Sequence, residues 1–65
     1  MPIIQANVLA GRSHQQKAAF AEAVTAAAVE HLKVPATAVR VVFHEVDPAD
    51  WFTAGVAKAV PPGVG

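Results

Sequence analysis

Along residues 3–16, IIQANVLAGRSHQQ, a two-residue repeat gives way to a helix start, and that switch decides the fold. Ile4, Ala6 and Val8 fall on one side of the first half, and Ile3, Gln5, Asn7 and Leu9 fall on the other. This is the alternation of a strand, whose successive side chains point to opposite faces. Gly11 interrupts the pattern and Ser13-His14-Gln15-Gln16 follows. The Ser13 hydroxyl can accept from the amide three residues on while the Gln16 side chain reaches back, a reciprocal capping box. A helix is therefore expected from about His14 to Leu32. With about 100° of rotation per residue, Phe20, Ala21, Val24, Ala27, Ala28, His31 and Leu32 share one stripe. Glu22, Ala26, Glu30 and Lys33 lie on the other side, so one face of the helix should pack on a sheet.

Lys33-Val34-Pro35 ends the helix, because proline lacks the amide a helix needs and disfavours helical geometry at Val34. The next segment, Ala38 to Val46, is rich in valine and alternates Val39, Val41 and Phe43 against Arg40, Val42 and His44. It reads as a second strand. Strand, helix and strand in this order form a right-handed βαβ unit with two parallel strands, an α+β arrangement. An independently stable sheet needs about three strands or more, so strands of a second chain are expected to complete it. Asp47-Pro48-Ala49-Asp50 is turn chemistry. Trp51 to Val56 is a short apolar patch that suits either a hairpin or an interface flap, and residues 61–65 suit a loose tail. The chain is expected to be a single domain over residues 1–65.

Composition points the same way. A chain of 65 residues buries only roughly 60% of the surface that its unfolded form exposes, so its own core is small. It has no Cys for a disulfide, and His14, His31 and His44 lack the clustered spacing of a structural zinc site. Self-association is the remaining route to stability, and 54% apolar residues against 15% charged ones supply the surface for it. Net charge is zero, which gives no electrostatic footprint for nucleic acid or an anionic membrane. No apolar run approaches the roughly 20 residues that span a bilayer. A soluble, cytoplasmic protein without nucleic-acid or membrane partners is expected.

Three residues could carry chemistry. The chain opens Met1-Pro2 and runs straight into the first strand, so Pro2 is held rigidly at the terminus. If Met1 is removed, Pro2 presents a secondary amine fixed by its ring, and an amine in an apolar or cationic site can act as a general base near neutral pH. Arg12 follows the first strand directly, and Arg40 lies in an otherwise apolar second strand. Two guanidinium forks could bind and orient a small dicarboxylate or 2-oxo acid. The plainer alternative is a structural ion pair with Glu45, Asp47 or a neighbouring subunit. The three histidines and Lys17 suit packing, surface or interface positions.

Met-Pro-Ile-Ile-Gln, then Leu-x-Gly-Arg-Ser with Gln-Lys downstream, then Val-Arg-Val-Val followed by a Trp, together resemble the 4-oxalocrotonate tautomerase family over Pro2 to about Gly55. The resemblance implies a tautomerase/MIF-like fold: a βαβ subunit with a short C-terminal hairpin, dimers sharing a four-stranded sheet, and a homohexamer of three dimers. It also implies a cofactor-independent isomerase that ketonises small 2-hydroxydienoate or enol acids of the 2-hydroxymuconate type, as in aromatic hydrocarbon catabolism. By the same resemblance Pro2 is the catalytic base and Arg40, contributed by a neighbouring subunit, is a catalytic residue that stabilises the developing dienolate. Arg12 binds the remote carboxylate, and Trp51 forms an aromatic wall, with Phe52 one residue off. No metal or other cofactor is implied.

Two departures from the family pattern stand out. The Gly-rich hairpin is here Thr53-Ala54-Gly55-Val56, and the tail after Val60 carries no basic residue. Two alternatives compete with the isomerase: a hydratase or dehalogenase within the superfamily, which would need a further acidic residue in the pocket, and a non-catalytic oligomeric binding module built on Trp51 and Phe52.

Overall fold

The helix start forms as its residues predict. Ser13 accepts from the Gln16 amide at 3.1 Å, and the Gln16 side-chain oxygen accepts from the Ser13 amide at 2.9 Å. Two of the amide groups that a helix leaves without partners at its first turn are thereby satisfied. In the computed structural model, which describes residues 1–59, the elements are β1 (Ile3–Leu9), α1 (His14–Leu32), a 3-10 turn (Ala36–Ala38) and β2 (Arg40–Val46). A second 3-10 turn (Pro48–Asp50) and the short strands β3 (Phe52–Thr53) and β4 (Val56–Ala57) complete it. Residues 61–65, read as a loose tail, lie outside the described residues.

α1 is capped by Lys33, whose left-handed backbone (φ 58°, ψ 44°) turns the chain before Pro35. β2 starts two residues later than expected because Ala36–Ala38 winds into a 3-10 turn, with the Ala38 amide donating to the Pro35 carbonyl at 3.0 Å. β1 and β2 pair in parallel, in register from Ile3 opposite Arg40 to Leu9 opposite Val46. The βαβ unit of the sequence reading is thus present, and the C-terminal segment forms an antiparallel hairpin.

One face of this sheet carries the helix. Ile4, Ala6 and Val8 share it with Val41, Phe43 and Glu45, and Phe20 meets Phe43 edge-on with ring centroids 5.9 Å apart. The packing stripe of α1 differs from the expected one. Ala21, Val24, Thr25 and Ala28 turn inward together with Lys17, whereas Ala27, His31 and Leu32 are exposed. Seven of the 19 helix residues are Ala, so the apolar face is weakly specified by periodicity, and the contact of Phe20 with Phe43 sets the rotation.

The opposite face is bare. Ile3 is 51% exposed and Val42 40%, and Ala28 alone is buried among the described residues. Burying apolar surface is the main source of folding free energy, at about 25 cal/mol per Å². A single copy leaves this apolar face out of that contribution.

The hairpin resolves the question its altered sequence raised. Ala54 and Gly55 both adopt positive φ, 53° and 80°, which makes the two-residue turn that matches the twist of paired strands. Gly55 takes this conformation without a side-chain clash, whereas Ala54 holds it at a cost. No helix among the described residues is long and apolar enough to cross a membrane.

Candidate active site

Pro2 begins the sheet rather than dangling before it. The Arg40 amide donates to the Pro2 carbonyl at 3.0 Å, so the first ladder bond of the parallel pair is made by Pro2 itself. Its ring fixes φ, the ladder fixes its carbonyl, and the residue is half-buried beside an exposed Met1. Arg40 adjoins it through this backbone bond. The Arg40 side chain leaves the sheet on the face away from α1, as the alternation with Val41 and Phe43 requires, and its Nη1 donates to the Thr37 carbonyl at 2.7 Å. The 3-10 turn thus anchors one corner of an exposed guanidinium.

Arg12 sits at the other end of the same sheet. Ala10 closes the ladder there, its amide donating to the Val46 carbonyl at 2.9 Å, and Gly11 at φ 117° turns the chain toward the helix. Arg12 then lies one residue before the helix cap. With Val8, Gln16, Lys17, Phe20 and Phe43 it lines a cleft of about 160 Å³. The floor is apolar and the rim cationic, a combination that suits an apolar acid with its carboxylate toward Arg12. Lys17 Nζ is bound to Glu45 Oε1 at 2.9 Å. Arg12 and Arg40 form no ion pair among the described residues, so the structural pairing with Glu45 or Asp47 considered for them is not made within this chain. Asp47 instead caps the second 3-10 turn, accepting from the Ala49 amide at 2.9 Å.

Trp51 lies beyond the end of β2. It leaves the second 3-10 turn half-buried, with its amide 3.3 Å from the Pro48 carbonyl, and its own carbonyl accepts from Lys58 at 2.8 Å. Its ring is not among the residues that line the Arg12 cleft. Phe52, the neighbouring candidate for an aromatic wall, is 61% exposed.

Pro2 and Arg40 therefore adjoin at one end of the sheet and Arg12 sits at the other, while Trp51 follows the second 3-10 turn beyond the end of β2. β1 separates Pro2 from Arg12: seven residues at about 3.3 Å each place the two ends roughly 23 Å apart. One small molecule cannot touch Pro2 and Arg12 of the same chain. The histidines stay at the surface. His14 and His44 are exposed, and exposed His31 lies 3.6 Å from Glu30. No cluster of three metal-ligating side chains occurs among the described residues.

The Lys17–Glu45 pair was not read from the sequence, although a signal was there. Glu45 shares strand parity with Val41 and Phe43, which puts its carboxylate on the side of the strand that the helix covers. Lys17, one turn before Phe20 and Ala21, is the cation the helix offers.

Comparison with known proteins places these residues in context. Residues 2–60 match the family described as tautomerase enzyme. The 2-hydroxymuconate tautomerase of Comamonas testosteroni is 46% identical over 57 residues, which is 88% of this chain and 90% of that protein. Among solved structures, TomN, a 4-oxalocrotonate tautomerase homologue in the tomaymycin biosynthetic pathway, is 47% identical over 88% of each chain with a TM-score of 0.85. A heterohexamer 4-oxalocrotonate tautomerase from Chloroflexus aurantiacus is 38% identical, covering 89% of this chain and 94% of that one, with a TM-score of 0.84.

Proposed function

The chain belongs to the tautomerase family and is a tautomerase, and we propose that it ketonises 2-hydroxydienoate acids of the 2-hydroxymuconate type with the Pro2 amine as base. Removal of Met1 converts the Pro2 nitrogen from an amide into a secondary amine with a lone pair. That nitrogen takes the proton of the 2-hydroxyl group and returns a proton to a carbon of the conjugated chain, so an enol becomes a ketone. Arg40, contributed by a neighbouring copy, stabilises the negative charge that develops on the oxygen, and Arg12 holds the carboxylate at the far end. Trp51 keeps water from the base.

The observation that carries this reading is the placement of Pro2 as the first member of the sheet, its carbonyl bonded to Arg40 at 3.0 Å. A general base must be held within hydrogen-bond reach of the proton it moves, and here ring and ladder hold it without any side chain. The roughly 23 Å between the two ends of β1 supports a site shared between copies. A second copy running antiparallel along the outer edge of β1 would carry its Arg12 to this copy's Pro2 and extend two strands to four. Three such dimers in a homohexamer would cover the bare face that holds Ile3 and Val42. The test is intact mass of untagged protein followed by 2-hydroxymuconate ketonisation on the same sample. Loss of Met1 with rapid turnover is the expected result. Loss of Met1 without turnover of 2-hydroxymuconate would overturn the assigned substrate class.

A further inference from the structure

We propose that Lys17 is a positioning residue that keeps Glu45 off Arg12, so that the Arg12 guanidinium stays open to a substrate carboxylate. The inference rests on the carboxylate-binding role proposed for Arg12. Lys17 links the cleft that holds Arg12 to Glu45 outside it. Arg12 and Lys17 both line the cleft over Val8, and Glu45 is the register partner of Val8 on the helix-facing side of the sheet. Arg12 forms no ion pair among the described residues, although a guanidinium is the natural bidentate partner of a carboxylate. Glu45 is instead held by Lys17 at 2.9 Å, the Lys17 side chain being 23% exposed and the Glu45 side chain 42%.

An exposed ion pair of this kind adds little stability. Its larger consequence is to occupy Glu45. A carboxylate tethered beside Arg12 acts at an effective concentration in the millimolar range, comparable to or above that of a free substrate. Released, Glu45 would compete with the substrate for Arg12 at every encounter. Lys17 removes that competitor, and being one turn into a capped helix it stays in place to do so.

Lys17→Met tests the role, with kcat and KM measured for 2-hydroxymuconate and for 2-hydroxypenta-2,4-dienoate, which lacks the remote carboxylate. The expected result is a rise of about three- to fivefold in KM for the dicarboxylate, as much as an exposed competing ion pair can produce, with little change in kcat and no change for the monocarboxylate. Lys17→Arg retains the ion pair and leaves KM near its original value. The Lys17→Met/Glu45→Gln double variant restores KM, and Glu45→Gln alone leaves it within about twofold, because Arg12 was already open. Circular dichroism and the elution volume of each variant establish that it folds and assembles. An unchanged KM in folded Lys17→Met overturns the proposal, as does a raised KM that Glu45→Gln fails to restore. A gain in affinity from Glu45→Gln alone equal to the loss from Lys17→Met also overturns it, since the cleft would then respond to net charge only. Arg12→Ala separates the underlying reading: if it leaves the dicarboxylate KM unchanged, Arg12 does not bind the carboxylate at all.

Discussion

The two ends of the β1–β2 sheet are built by different means. At the end where β1 begins, one ring and one ladder bond hold Pro2, and the neighbouring guanidinium is tied to a turn carbonyl of the same chain. At the end where β1 stops, three separate segments converge. They are the Gly11 turn, the start of the capped helix, and the final residues of β2 with the Lys17–Glu45 pair. The first end is organised by covalent geometry and tolerates little chemical change. The second is organised by many weak contacts, so each of them can be altered for a modest loss.

The largest expected effect falls on the covalently organised end. Pro2→Ala replaces a rigid secondary amine with a mobile primary one, and kcat/KM for ketonisation should fall by about 10² to 10⁴, the range supplied by a positioned base. A loss below tenfold would remove Pro2 from the catalytic role. The next test joins both ends. Co-expressed Pro2→Ala and Arg12→Ala chains, each inactive alone at low substrate, should regain about one quarter of full activity. Half of randomly formed pairs are mixed, and a mixed two-fold pair restores one of its two sites. No regain would mean that Pro2 and Arg12 are not supplied by different copies.

Smaller effects are expected at the end built from weak contacts. Ser13→Ala deletes one arm of the capping box and should cost about 1 kcal/mol in denaturant unfolding. Ala54→Gly relieves the positive φ in the hairpin turn, and the strain of about 1–2 kcal/mol removed exceeds the added freedom of the unfolded chain, so the protein should be stabilised, read as a higher midpoint. A destabilised Ala54→Gly variant would show that the Ala54 methyl makes contacts worth more than its backbone strain.

Much of this architecture was legible from local chemistry. Ser13 and Gln16 announced the helix start, Pro35 its end, and the alternation of Ile4, Ala6 and Val8 the strand, because each depends on neighbours a few residues away. The start of β2 was read two residues early, since valine-rich sequence does not distinguish a strand from the 3-10 turn that Pro35 initiates. The helix face was read with the wrong rotation at Ala27, His31 and Leu32. In a helix so rich in alanine many stripes are comparably apolar, and only contact with Phe43 chooses among them. Pro2, Arg12, Arg40 and Trp51 were legible as candidates, but that Arg40 lies beside Pro2 follows from the parallel register.

By itself the sequence determined the order and kind of the main elements, the helix cap, and a terminal proline leading directly into a strand. These follow from backbone geometry and hydrogen bonding between residues close in the chain. The tertiary structure alone decided which helix face packs and that Lys17 occupies Glu45. It also decided that Arg40 lies beside Pro2, through the parallel register of β1 and β2. Those outcomes depend on contacts between residues distant in sequence, whose register is set only when strand, helix and strand come together.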